Sequence, residues 1–199
     1  MNPNSSSITL PPVTIISSDE PLLVMEVCDD IVKQAKKAGV FERTIVDVVD
    51  KFNWNDLLVN SGSMSLFSET KLTDIRFSKM PNKEAQTALV ELTQSADVEN
   101  LYLIRLPKIE KRQKNTKWFK ALAKNAKLQE LWPPKPYEFS GWLQKRANQL
   151  DIQLQPEACQ MLAEQSEGNL LAAKQAMDKL QLLFPEPVSY THLTLPTNR

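Results

Sequence analysis

The chain has 199 residues, enough for one large domain or two small ones that fold without a metal or disulfide staple, and its 24 Lys and Arg balance 24 Asp and Glu. A net charge of +0 excludes a globally cationic nucleic-acid binder and an acidic decoy, so any nucleic-acid contact has to be local. Two distant cysteines (Cys28, Cys159), a polar start from Met1 to Pro12 and no bilayer-spanning apolar run fit buried thiols in the cytoplasm, not secretion or membrane insertion.

Val13 to Ser17 reads as a β-strand, and Asp19-Glu20-Pro21 opens a helix, with acids near its positive end and proline at an early position that tolerates it. That helix runs to about Lys37, before Gly39. Thr44 to Val49, rich in β-branched residues, reads as a second strand; Asn53 then caps a short helix carrying Trp54, Leu57 and Leu58. Lys71 to Phe77 and Leu101 to Leu106 are further strands, separated by a helix from Lys83 to Ser95 with Ala85, Leu89 and Leu92 on one face. Strands alternating with helices predict an α/β fold, a mostly parallel sheet with helices on its faces.

Between Asn60-Ser61-Gly62 and Ser68-Glu69-Thr70 lies the apolar plug Ser63-Met64-Ser65-Leu66-Phe67. Burying Leu66 and Phe67 is worth about 1.5 to 3 kcal/mol each, so the plug can anchor a complex from the tip of a short helix. Met64, Leu66 and Phe67 can equally close the domain's own core.

Lys108, Lys111, Arg112, Lys114, Lys117, Lys120, Lys124 and Lys127 follow, with only Glu110 opposing them before Glu130. On a helix, Lys117, Lys120, Lys124 and Lys127 share one face while Trp118, Phe119 and Leu122 turn inward. Such a face is either an ordinary solvated surface or one that tracks a phosphate backbone.

Trp132-Pro133-Pro134-Lys135-Pro136 marks a boundary, because its prolines can continue neither a helix nor a central strand. The expected domains are 1–134 and 135–187. The second is all-helical: a first helix with Phe139, Trp142, Leu143, Ala147 and Leu150 on one stripe, and a second from Pro156 to Gly168. A third, capped by Asn169, carries Ala173, Ala176, Met177, Leu180 and Phe184 before Pro185 stops it.

A phosphate-binding loop needs glycines for close backbone approach and a lysine for the phosphates. Its place after the first strand reads Ser17-Ser18-Asp19-Glu20-Pro21-Leu22-Leu23, with two carboxylates that repel a triphosphate. The strand Lys71 to Phe77 runs into Ser78-Lys79 without the acidic pair that holds Mg²⁺. A single histidine, His192, supports neither a His-based triad nor a His-rich metal site. These residues predict no nucleotide hydrolysis, no catalytic residue, no metal and no cofactor.

Taken in order, several motifs resemble the delta subunit of the bacterial DNA polymerase III clamp loader, over about Val13 to Pro187. They are Ser18-Asp19-Glu20-Pro21-Leu22-Leu23, Ser65-Leu66-Phe67, Leu106-Pro107-Lys108 followed by Trp118-Phe119-Lys120-Ala121-Leu122, and Glu167-Gly168-Asn169-Leu170-Leu171. The resemblance implies a RecA-like AAA+ domain that has lost its nucleotide site, followed by a small three-helix lid. It implies that Met64, Leu66 and Phe67 dock into the hydrophobic pocket of the sliding clamp and promote ring opening during DNA replication. ATP work then belongs to other loader subunits, with gamma/tau and delta prime as partners and primed DNA reached through the complex. Gly62 stands where the clamp motif begins with Gln, and Leu171 where active lids place arginine. The family continues into a helical collar, whereas 188–199 resembles a translated sequencing adapter and is expected to lie outside the fold. The rival expectations are an active AAA+ NTPase, which requires nucleotide binding at Ser17 to Leu23, and a plain DNA-binding module using the basic stripe.

Overall fold

The computed structural model describes residues 10–62, 70–97 and 99–183, with the backbone alone for 60–62. Met64, Leu66, Phe67, Phe184 and the tail 188–199 lie outside the described residues. The chain divides into two compact units, Met1–Trp132 and Pro133–Arg199.

The first unit is built on five strands: β1 (Val13–Ser17), β2 (Glu42–Val48), β3 (Lys71–Phe77), β4 (Asn100–Leu106) and β5 (Lys127–Glu130). Their order is β2-β3-β4-β1-β5, with every pairing parallel. Every residue of β1 is buried, as an apolar strand flanked on both sides and covered on both faces must be. Period-two alternation then splits the core. Ile16, Leu72, Leu101 and Leu103 pack with Cys28, Val32 and Ala35 of α1 (Pro21–Lys37) on one face. Val13, Ile15, Ile75, Tyr102 and Ile104 pack on the other with α3 (Lys83–Ser95) and α5 (Lys117–Lys124). Together these layers form the RecA-like AAA+ architecture, a parallel sheet between helices.

Helix ends follow their local chemistry. At the end of α1, Gly39 adopts φ 92, its N–H bonds Lys36 O at 3.1 Å and the Val40 N–H bonds Ala35 O at 3.0 Å. That pair of bonds is a Schellman motif, which needs the left-handed conformation glycine enters without penalty. Asn82 caps α3 through Oδ1, which accepts from the Ala85 N–H at 2.9 Å. α2 (Trp54–Gly62) starts where Asn53 Oδ1 accepts from the Asn55 N–H at 3.2 Å.

The second unit contains a 3₁₀ turn (Pro136–Glu138), α6 (Phe139–Gln149), α7 (Pro156–Ser166) and α8 (Leu170–Leu183). Phe139, Leu143 and Ala147 on α6, Cys159 and Leu162 on α7, and Leu170, Ala173, Met177 and Leu180 on α8 are buried. Asn169 Oδ1 accepts from the Ala172 N–H at 3.0 Å, capping α8. Both cysteines are buried and free. No described helix is long and apolar enough to cross a membrane.

The structure corrects the sequence reading in the basic region. Lys117, Lys120, Lys124 and Lys127 do not share one helix: α5 ends at Lys124 and Lys127 opens β5, while Lys111, Arg112 and Lys114 lie on a separate α4 (Lys111–Lys114). Pairing with β1, in which Thr14 faces Lys127, draws this stretch into the sheet. β2 also begins two residues before Thr44 and ends at Val48, where its pairing with β3 ends.

Candidate functional site

Parallel α/β sheets bind ligands at the C-terminal ends of their strands, in the crevice where the connections diverge. Here that crevice lies beside β1 and β4, a cavity of about 440 Å³ lined by Ser18, Asp19, Met25, Arg76, Arg105 and Pro107 among others. The turn from β1 into α1 consumes its own donors. Glu20 Oε1 accepts from the Leu22 N–H at 3.2 Å, and Ser18 Oγ accepts from the Glu20 N–H at 3.0 Å. Asp19 Oδ1 accepts from the Lys108 N–H at 2.9 Å, and Ser17 Oγ from the Ile109 N–H at 3.1 Å. Pro21 supplies no N–H. Where a phosphate loop offers open N–H groups, here the Glu20 and Leu22 N–H groups are already bonded by the Ser18 hydroxyl and the Glu20 carboxylate.

Asp74 lies in the middle of β3, fully buried on the α1 face of the sheet. Arg105 bonds it through Nε to Oδ1 at 2.8 Å and through Nη2 to Oδ2 at 2.6 Å. Arg76 Nη2 reaches Oδ2 at 3.1 Å, and Arg43 from β2 donates to the same oxygen. Burial works to raise the Asp74 carboxyl, but the hydrogen bonds from Arg105, Arg43 and Arg76 outweigh it and hold its pKa below the usual carboxylate value. So engaged, Asp74 braces three strands and is not presented to a cation. Among the described residues, no group of three or more His, Cys, Asp or Glu is placed to hold a metal. Sequence reasoning misses the cluster because its members come from separate strands; the one local sign is Arg76 two residues after Asp74, on the same face.

α2 carries the chain to the predicted plug. Trp54, only 5% exposed, stacks on Phe77 at 6.0 Å between ring centroids and meets Phe52 edge-on at 4.8 Å. Leu57 and Leu58 also pack on the core, so α2 is fixed to the sheet through its apolar face. Residues 63–69, with Met64, Leu66 and Phe67, join the end of α2 to β3.

In the basic region, Phe119 and Leu122 are buried, whereas Lys117, Lys120 and Lys124 on α5 and Lys127 on β5 are exposed. Lys114 Nζ pairs with Glu130 Oε2 at 2.7 Å, tying α4 to the end of β5. This surface can meet an anion without reorganising the core.

The family model described as DNA polymerase III, delta subunit, matches residues 15–131, more than half of the chain. The chain belongs to the DNA polymerase III delta subunit family. It is 32% identical over 183 residues to DNA polymerase III subunit delta of Escherichia coli (strain K12), covering 92% of this chain and 52% of that protein. DNA polymerase III subunit delta of Haemophilus influenzae is 27% identical over 177 residues, covering 87% and 52% respectively. This delta-family chain therefore spans about half the length of the relatives it matches. In structure it is similar to the Bacillus subtilis DNA clamp loader delta protein, with a TM-score of 0.66 at 17% identity over 90% of this chain and 55% of that one. The Thermotoga maritima RuvB Holliday junction branch migration motor shares the fold, with a TM-score of 0.53 at 12% identity over 85% of this chain and 54% of that one.

Proposed function

We propose that this chain is the clamp-binding part of a clamp-loader delta subunit and acts in the cytoplasm during DNA replication without catalysis of its own. Met64, Leu66 and Phe67 are the anchor for a hydrophobic pocket on the sliding clamp, with Leu66 and Phe67 as its hot spots. Membership of the delta family is the observation that carries this reading. A second support is the turn Ser18 to Leu22, where the Ser18 hydroxyl and the Glu20 carboxylate engage the N–H groups a phosphate would need.

The mechanism is a population shift. A subunit that binds the clamp more tightly when one ring interface is distorted moves the ring toward opening by the ratio of its two affinities, with no bond made or broken. Hydrolysis of ATP belongs to the gamma/tau partners, and the subunit works beside them and delta prime on primed DNA. Lys117, Lys120, Lys124 and Lys127 are the residues for contact with the DNA backbone, a sequence-independent interaction.

Calorimetric titration with a bacterial sliding clamp tests this, beside a Leu66→Ala/Phe67→Ala variant and an ATP titration. The expected result is saturable heat with the clamp, lost in the variant, and none with ATP. A folded wild-type chain that ignores the clamp defeats the proposal, and ATP heat moves the reading to an NTPase.

A further inference from the structure

We propose that Trp132, with Lys108 against its ring and the cations of α4 in the same connection, forms a stacking site for an unpaired base of single-stranded nucleic acid at the C-terminal edge of the sheet. This rests on the DNA-contact part of the reading above and adds to it a site that reads base exposure, where the lysines of α5 meet phosphate alone.

Trp132 lies two residues beyond the end of β5 and is 57% exposed. The backbone leading to it is nonetheless fixed, because the Leu131 N–H bonds Ser17 O at 3.0 Å and continues the β1 pairing to the residue before it. Lys108, which follows β4, places its Nζ 5.1 Å from the centre of the indole ring. The Lys114–Glu130 ion pair brings α4, with exposed Lys111 and Arg112, to the same end of β5. One cation, Lys108, therefore lies against the exposed ring, and the same β4–β5 connection carries Lys111 and Arg112 on α4.

The carboxylates nearby are already engaged. Glu110 pairs with Arg112 at 2.8 Å, Glu130 with Lys114, and Asp19 accepts the Lys108 N–H. Lys108 to Lys117 carries five cations and one acid, Glu110, and with Asp19, Glu20 and Glu130 counted an excess of one positive charge remains. An exposed indole with cations in the same connection is the kind of surface on which a base of a single strand stacks while the cations track its phosphates. A duplex covers its base faces within its own stack and gives the ring nothing to meet. An acidic peptide would use the lysines and leave the indole idle.

The test is fluorescence anisotropy of labelled oligothymidylate with the intact chain at low salt, comparing wild type with Trp132→Ala, Trp132→Phe and Lys117→Ala/Lys120→Ala. Trp132→Ala should weaken binding about tenfold, a typical stacking loss, and leave the salt dependence unchanged. Trp132→Phe should retain most of the affinity. The lysine pair should instead lower the slope of log K against log salt by about 0.7 for each phosphate no longer neutralised. Circular dichroism melts should be the same for wild type and both exposed-tryptophan variants. Wild-type affinity in Trp132→Ala, equal affinity for duplex, or equal competition by polyglutamate overturns the stacking site. If only the lysine variant loses affinity, backbone binding stands without it. If nothing binds, both fall, while clamp binding is read separately by calorimetry.

Discussion

Arg105 grips Asp74 across the β3–β4 pairing with both arms of its fork, Nε on Oδ1 at 2.8 Å and Nη2 on Oδ2 at 2.6 Å. Arg43 reaches the same carboxylate from the edge strand β2, so one buried acid joins three neighbouring strands on the α1 face. Removing it leaves three guanidinium groups facing one another with their shared counterion gone. Asp74→Ala should therefore cost about 3 to 5 kcal/mol, as expected when one partner of a buried ion pair is deleted. Urea unfolding measures it; a loss under about 1 kcal/mol would show that solvent already screens the cluster.

The same carboxylate fixes part of the acid limb of stability. Its folded pKa lies below its unfolded one, held there by the arginines against the opposing effect of burial. The stabilisation is thus full above the unfolded value of about 3.9 and disappears as pH falls through the folded one. In the wild type, stability should fall below about pH 4, and in Asp74→Asn the fall should be shallower. Identical acid limbs in denaturant titrations would assign the effect to other carboxylates.

Cys28 packs beneath the same cluster, and burial, the largest influence on it, pushes its thiol up to about 11. Burial also raises the thiol of Cys159. Since the thiolate is the nucleophile, only about a thousandth of Cys28 is reactive at pH 8, before its inaccessibility is considered. An aromatic disulfide reagent should label both cysteines slowly in native protein and at once in urea. Rapid native labelling of Cys28 would mean that α1 opens readily from the sheet.

The strands most legible in sequence are those whose side chains meet apolar neighbours. Val13 to Ser17 is an apolar run because β1 is covered on both faces. β5 is hidden because Lys127-Leu128-Gln129-Glu130 has no β-branched residue; its strand character comes from β1, a partner more than a hundred residues earlier in the chain. Helical spacing alone therefore groups Lys127 with the lysines of α5. Asp74 and its arginines are hidden similarly, since Arg43 and Arg105 each lie 31 residues away. Trp132 is legible only as the start of a proline-rich boundary; the ammonium of Lys108 above it is a tertiary fact. In the second unit, the period of Leu143 and Ala147 or Ala173 and Met177 is sufficient, because local helix packing decides burial there.

The last prediction concerns Trp54, at the opposite end of α2 from the proposed clamp contact. Its ring is sandwiched by Phe52 and Phe77 at the foot of α2, while Val59 further along is 70% exposed. Trp54 is the buried anchor at the start of the helix, ahead of the half-buried Leu57 and Leu58. Trp54→Ala should cost about 3 to 5 kcal/mol of stability, the usual range for emptying a buried aromatic site. If α2 positions Met64, Leu66 and Phe67, the variant should also bind the clamp more weakly at a temperature where it remains folded, and Trp54→Phe should recover most of both losses. Circular dichroism melting and clamp calorimetry on the same samples separate the two effects. A lower melting temperature with unchanged clamp affinity would mean that the plug finds its pocket as a free tether, owing its strength to its own apolar side chains and nothing to the helix behind it.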